Sequence, residues 1–420
     1  MALALLALLI YLAHSMVKSI GNYEKLLEVH RYRFLPILHH CEVNVNEAKW
    51  TTGSLKNIWE PRIDELITLF TEKMSEFAER REEVVLSDKA AQFAADVLTT
   101  ISFTEPWGFV KNQRDEGDYL TSWRKGLPYF GVYNRWNSFR DYVLKNDTLS
   151  PFFLPSTSDK TGMGFLIAHA DKAIKEREKK IQEANGDWHM DNPDLLQHCL
   201  EARHADGSPL NDIERRSHMT LIIQAGADTT GTALGCTIRN LMKRPDIMRK
   251  AQAEIDAANA AGKLSTPISY EESRRHLPYC GACIRESMRI TPPTPNLLPR
   301  VVPKEGKHIG KIFIPGGTEV TSHAYVLPHD TSFYGPDADV FRPEQWLEPG
   351  REAELENSLF TFSIGPRICL GKDIATMEMW KFLPELIRNF DFELVDEGAY
   401  VVAGGIGYNE NLRALLTRRT

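Results

Sequence analysis

Phe362-Ser363-Ile364-Gly365-Pro366-Arg367-Ile368-Cys369-Leu370-Gly371 is the stretch that decides the fold. It directly precedes an apolar-periodic run, Ile374, Met377, Met379, Trp380 and Leu383, which reads as a helix. Cys369 is therefore presented at a helix N-terminus, where unpaired amides and the helix dipole favour a thiolate over a thiol. Gly365 and Gly371 bracket the cysteine, and glycine there suits a tight turn with no Cβ to obstruct something flat lying close by. Arg367 presents a fixed fork of donors to a carboxylate. A flat ligand with acidic side chains and an axial bond to sulfur describes haem, whose iron gains electron density from a thiolate in a way that favours O–O cleavage. The plainer alternative is a buried structural cysteine in a glycine-rich turn; four further positions in register weigh against it.

The stretch resembles the haem-binding loop of the cytochrome P450 family, Phe-x-x-Gly-x-Arg-x-Cys-x-Gly, and fills each fixed position with Phe362, Gly365, Arg367, Cys369 and Gly371. The resemblance implies a mainly α fold with small β-sheets and haem b as cofactor, with Cys369 as the iron ligand. It also implies monooxygenation: one atom of O2 enters a C–H or C=C bond of a small hydrophobic substrate and the other leaves as water. The sequence carries no flavin or iron–sulfur motif, so the electrons are expected from a separate NADPH-dependent reductase docking near Cys369.

Composition agrees with an enzyme of this size. The 420 residues are 42% apolar and 25% charged, the profile of an ordinary globular protein. A formal charge of −7 argues against nucleic acid as the main partner. Six scattered cysteines are too few for a disulfide framework and suggest reducing surroundings. Cys280 and Cys283 form a lone CxxC, read as two helix positions rather than a zinc or redox site.

Residues 1–13 are almost entirely apolar and Lys18 follows, so residues 1–18 read as an N-terminal membrane anchor. The family's eukaryotic members carry such an anchor, which implies an endoplasmic reticulum location with the catalytic domain cytosolic. A cleaved signal or a plain buried helix are the alternatives. Residues 19–50 form a short, atypical segment in which the resemblance is weak, and the P450-like fold is expected to be incomplete before about residue 51. His30 with Arg31 or Arg33 stands where a haem-propionate clamp would fall; a solvated basic stretch is the other reading. Residues 51–420 read as the haem-thiolate domain.

That domain is helix-rich from its start. Ile63, Leu66, Ile67 and Phe70 share one helical face, with Pro61 in the first turn. Phe93, Ala94, Val97, Leu98 and Ile101 make a second stripe. Residues 119–142 are dense in aromatics, in the region that roofs the substrate pocket in the family, and residues 172–180 read as a solvated helix face. A long helix should then run from an N-cap at Asn211 or Asp212 to about Lys243, stopped by Pro245. Its centre, Ala225-Gly226-Ala227-Asp228-Thr229-Thr230-Gly231-Thr232, consists of small or poor helix formers, and threonine hydroxyls can bond back to the preceding turn. A deformable polar centre suits an oxygen pocket. It resembles the family's Ala/Gly-Gly-x-Asp/Glu-Thr-Thr, which assigns Asp228 and Thr229 to proton delivery.

Glu286 and Arg289, three apart on a helix, can pair. They resemble the family's Glu-x-x-Arg, a buried structural pair rather than a catalytic one. Arg300, at the start of extended structure, is a second candidate for a haem propionate. Residues 312–314 and 320–326 read as strands, as do 390–395 and 414–417. Phe341-Arg342-Pro343-Glu344-Gln345-Trp346 resembles a family motif whose arginine joins the Glu-x-x-Arg pair; here that position is Gln345, leaving open whether the pair stands alone or Arg342 assists. Gly404-Gly405-Ile406-Gly407 is placed near a hairpin tip at the pocket. Two rival readings stand beside the monooxygenase: a haem-thiolate isomerase or dehydratase needing no external electrons, and a truncated, non-functional member of the family.

Overall fold

Pro61 occupies the first turn of the helix Glu60–Arg80 (α1), where its missing N–H costs nothing. This helix buries Ile63, Leu66, Ile67, Phe70 and Met74. The computed structural model describes residues 55–419 except 147, 186, 187, 192 and 205. The anchor expected over residues 1–18, the short segment 19–50 and the clamp at His30, Arg31 and Arg33 lie outside the described residues. Among the described residues no helix is long and apolar enough to cross a membrane.

The chain continues through Leu86–Phe103 (α2), Tyr119–Arg135 (α3), Gly162–Glu183 (α4), Asp212–Met242 (α5), Pro245–Ala260 (α6), Tyr270–His276 (α7), Pro278–Ile290 (α8) and Lys372–Asn389 (α9). The fold is mainly α, as the motifs imply. Asn211 caps α5 with a reciprocal capping box to Glu214, and α5 ends before Pro245. The apolar stripe expected for α2 is wider than a stripe: Asp96 and nearly all its neighbours are buried, because α2 lies between α1 and α5. Gly231 is required at this crossing, since a Cβ would sit 2.6 Å from Ala91 Cα. Likewise Gly226 abuts Leu98, so its missing side chain serves α2–α5 packing and not an open oxygen pocket.

Among the described residues the sheets are small and antiparallel. Val84–Val85 (β1), Arg413–Arg418 (β9) and Phe390–Asp396 (β6) form one in the order β1-β9-β6. Arg300–Val301 (β2) pairs with Glu319–Val320 (β5), Lys307–Ile309 (β3) with Ile312–Ile314 (β4), and Ala399–Ala403 (β7) with Ile406–Glu410 (β8). The strand expected over 320–326 stops at Val320. His323 turns the chain by accepting the Leu327 amide at its carbonyl, and Pro328 then sits in a 3-10 turn that cannot join a ladder. The β7–β8 hairpin closes at Gly404 and Gly405, both at positive φ. Gly404 lies against Leu127 O and Gly131 of α3 so closely that neither glycine has room for a Cβ.

Candidate functional site: a cysteine loop beneath a long helix

The loop 362–371 is held in shape by backbone bonds. The Cys369 amide donates to Phe362 O at 2.8 Å, the Ser363 amide to Phe360 O at 3.0 Å, and the Ala375 amide to Gly371 O at 2.9 Å as α9 begins. Gly365 has φ +66 with open space where a Cβ would stand, so backbone conformation is what calls for glycine there. Gly371 lies in the expected tight turn, which the Lys372 amide closes by donating to Cys369 O at 3.3 Å, but its φ of −83 is one any residue adopts, and a Cβ would approach the Cys369 sulfur at 3.9 Å. Phe362 packs its ring on the main core. Cys369 is exposed, whereas Cys199, Cys236, Cys280 and Cys283 are buried. Ile364, Ile368 and Leu370 beside it are exposed too, Leu370 at 83%.

Partial burial of the Cys369 sulfur pushes its thiol up, against the pull of the Gly371 and Lys372 amides. The helix start alone therefore does not deliver the thiolate that its position suggested. A coordinated metal deprotonates a thiol outright. An exposed soft donor, glycine on either side and an apolar rim fit a flat macrocycle with an axial sulfur bond.

Behind the loop, a buried ion pair fixes the geometry. Arg289 donates to both oxygens of Glu286, at 2.9 and 2.8 Å, and its remaining hydrogens go to the carbonyls of Pro328, Ala338 and Val340. The same carboxylate accepts the Arg342 amide (2.8 Å), Gln345 Nε2 (2.8 Å) and Trp346 Nε1 (2.9 Å). Gln345 thus keeps one hydrogen bond to the pair without bringing a second cation into the core. The Arg342 side chain takes no part; it pairs with Glu348 and Asp337. From the same helix, Met288 O accepts Thr361 Oγ1 at 3.4 Å, one residue before Phe362.

Ala225 is exposed and Thr229 half-buried on α5, one turn apart, while Ala227, Asp228, Thr230 and Gly231 are buried. This strip interrupts the buried centre of the helix. Thr229 Oγ1 donates back to Ala225 O at 2.8 Å, the local bond expected of threonine in a helix. Asp228 points elsewhere: its Oδ1 accepts Arg124 Nε of α3 at 3.4 Å. Burial raises its carboxyl pKa, opposed by Arg124 and the indole of Trp123. Adjacent in sequence, Thr229 and Asp228 therefore serve different sides of α5. Arg300 is exposed, with Nη1 donating to its own neighbours' carbonyls, Leu298 O and Pro299 O. Arg124 was not singled out by the sequence, because a partner 104 positions away leaves no periodic signal. A cavity of about 890 Å³ lies behind the loop, lined by Tyr270, Arg274, Arg285, Phe362, Lys372 and Trp380.

The architecture and the exposed loop cysteine define a mainly helical, cysteine-loop enzyme. The family profile described as Cytochrome P450 matches residues 48–400. A cytochrome P450 monooxygenase of Aspergillus terreus is 32% identical over 343 residues, covering 79% of this chain and 67% of that protein. Cytochrome P450 monooxygenase ACRTS1 of Alternaria alternata is 30% identical over 84% of this chain and 92% of its own length. Cytochrome P450 monooxygenase gsfF of Penicillium aethiopicum is 33% identical over 80% of this chain, which spans 66% of that relative. This chain belongs to the cytochrome P450 family. It is accordingly an oxidoreductase, and its cofactor is haem b.

Proposed function

We propose that the chain inserts one oxygen atom from O2 into a small hydrophobic substrate, drawing electrons from a separate NADPH-dependent reductase. The observation that carries this reading is Cys369, the exposed cysteine among those described, set in a glycine-framed loop at the start of α9. Bound through that sulfur, haem supplies the oxygen-activating chemistry. Phe362, Gly365 and Gly371 shape the loop around it, and Arg367 and Arg300 are the donors assigned to its propionates. Thr229, with its hydroxyl on the open strip of α5, and Asp228, buried on the other side of that helix, are the residues assigned to proton delivery. Glu286 and Arg289 hold the fold beneath the loop. The electron donor is assigned to the face of the protein near Cys369. An anchor over residues 1–18 at the endoplasmic reticulum membrane, with the domain on the cytosolic side, rests on the apolar run alone.

The test is the reduced carbon-monoxide difference spectrum of the purified protein and of Cys369→Ala. A haem-thiolate band is expected in the parent and none in the variant; haem bound with an unchanged spectrum in the variant removes Cys369 as ligand. Oxygenated product that depends on NADPH and reductase separates a monooxygenase from an isomerase or dehydratase.

A further inference from the structure

Two buried hydrogen-bonding atoms on residues that line the cavity behind the loop find no partner among the described residues: Arg285 Nε of α8 and Ser363 Oγ. Arg285 is fixed from two other directions. Its Nη1 donates to Glu352 Oε1 at 2.5 Å and to Glu356 Oε1 at 3.3 Å, both on the short helix Glu352–Ser358. Its guanidinium lies over the Trp346 ring, 5.3 Å from the centroid. These contacts use Nη1 and one face of the plane. They leave the Nε–Nη2 edge, the fork with which arginine takes both oxygens of a carboxylate, without a partner among the described residues. Ser363 stands at φ +59 and ψ −174, a backbone region that belongs almost entirely to glycine. A strained residue there carries a hydroxyl that the fold itself does not use.

Buried polar groups in native proteins nearly always find partners, so two unmatched donors on one cavity wall point to an acceptor from outside. The acids of the lining leave the fork open: Glu352 and Glu356 are held at Nη1, Glu348 by Arg342 and Arg351, and Asp373 is exposed at the rim beside Lys372. The half-buried rings of Tyr270, Phe362 and Trp380 supply flat apolar wall. Gly281 lets Trp380 lie this close to α8, since a Cβ there would stand 3.0 Å from Trp380 Nε1. A volume of about 890 Å³ is within the range that encloses small organic ligands.

We propose that this cavity is a second small-molecule site, separate from the substrate pocket, and that it takes an aromatic carboxylate. The carboxylate oxygens are taken by the Nε–Nη2 edge of Arg285 and by Ser363 Oγ, and the ring lies among Tyr270, Phe362 and Trp380. The inference does not depend on which reaction the enzyme performs. Ser363 follows Phe362, whose carbonyl accepts the Cys369 amide at 2.8 Å, so an occupant bears directly on the loop that presents the sulfur.

The probe is 2-naphthoate, titrated into the holoprotein by calorimetry, with 2-naphthalenemethanol as the uncharged control. Saturable binding is expected for the acid, and binding about tenfold weaker or worse for the alcohol, which cannot fill the fork. Arg285→Lys keeps a cation for Glu352 and Glu356 but has no fork, and should weaken the acid about tenfold or more. Ser363→Gly removes the hydroxyl in a residue that suits the backbone, and should weaken the acid about threefold. Because it relieves strain, Ser363→Gly keeps the test open if Arg285→Lys does not fold. No saturable binding of the acid up to about 5 mM, a free energy near the millimolar floor of specific recognition, overturns the inference. Equal affinity for acid and alcohol overturns it as well. Acid binding that both variants leave unchanged places the naphthoate elsewhere, the substrate pocket included, and does the same. If Arg285→Lys weakens only the binding of the reductase, the fork serves a carboxylate of that protein and the small-molecule site is refuted.

Discussion

Glu286→Gln is the substitution whose cost follows most directly from the structure. The parent carboxylate is fully buried and accepts five hydrogen bonds, two from Arg289 and one each from the Arg342 amide, Gln345 and Trp346. Glutamine has nearly the same shape, so packing is retained. Two things are lost: the charge that neutralises Arg289, itself 1% exposed, and one acceptor oxygen, replaced by an NH2 that faces donors. Breaking a buried pair by removing one partner costs about 3–5 kcal/mol. Against a typical net stability of about 5–15 kcal/mol this is a large fraction. At about 2.1 cal/mol/K per residue, the 420-residue chain has an unfolding entropy of about 0.9 kcal/mol/K, so the cost corresponds to a fall of about 3–6 °C in Tm. Calorimetry of the holoprotein measures that fall, and near-ultraviolet circular dichroism should change as well, since Trp346 donates to the altered group. A Tm within about 1 °C of the parent, with Trp346 unperturbed, would refute the reasoning.

Gln345→Met should be close to neutral, within about 1 kcal/mol in urea unfolding. It gives up one hydrogen bond to a carboxylate that has four others, and it also removes Gln345 Oε1, which is buried without a donor. Gly404→Ala should destabilise by about 1–3 kcal/mol, because φ is +58 and the new methyl would press on Leu127 O of α3; a parent-like Tm would show that the hairpin tip yields. Glu272 titrates at about 2: burial works against the carboxylate, but the Ser265 side chain and amide and the Ser269 amide more than offset it. A depressed carboxylate stabilises the fold above its unfolded value of about 4.5, and that contribution is lost as pH falls toward about 2. Glu272→Gln should accordingly flatten the acid limb of the stability–pH curve, most visibly between pH 4.5 and 2, and an identical limb would count against it.

The readable parts of the fold were those written locally. Asn211, Glu214 and Pro245 bound α5 within a residue or two of its observed ends, because caps and proline act through their own backbone neighbours. The cysteine loop and the Glu286–Arg289 spacing were legible for the same reason. What could not be read depends on distant partners. Lys381, in the middle of α9, is fully buried because Glu60 and Asp64 of α1 reach it at 2.8 and 2.7 Å, across more than 300 residues. Arg124 meets Asp228 in the same way, and Gln345 keeps an arginine's hydrogen bond with half an arginine's chemistry. Gly226 misled for a related reason: a missing Cβ looks alike whether it makes space for a ligand or for Leu98.

The pairing of β1 with β9 has a consequence for how the chain is made. Val84 lies opposite Ala414, so this ladder joins residues 330 positions apart. At a synthesis rate of about 5–20 residues per second, roughly 15–65 seconds separate the emergence of the two partners. During that interval α1 and α2 are already complete and carry Phe70 and Phe93, whose shared neighbour Phe382 on α9 has not been translated. Their apolar faces must wait in water or in the hands of a holding chaperone. Slowing translation near the 3′ end of the message should therefore lower the soluble yield more than slowing it anywhere after α2 has partners to fold against.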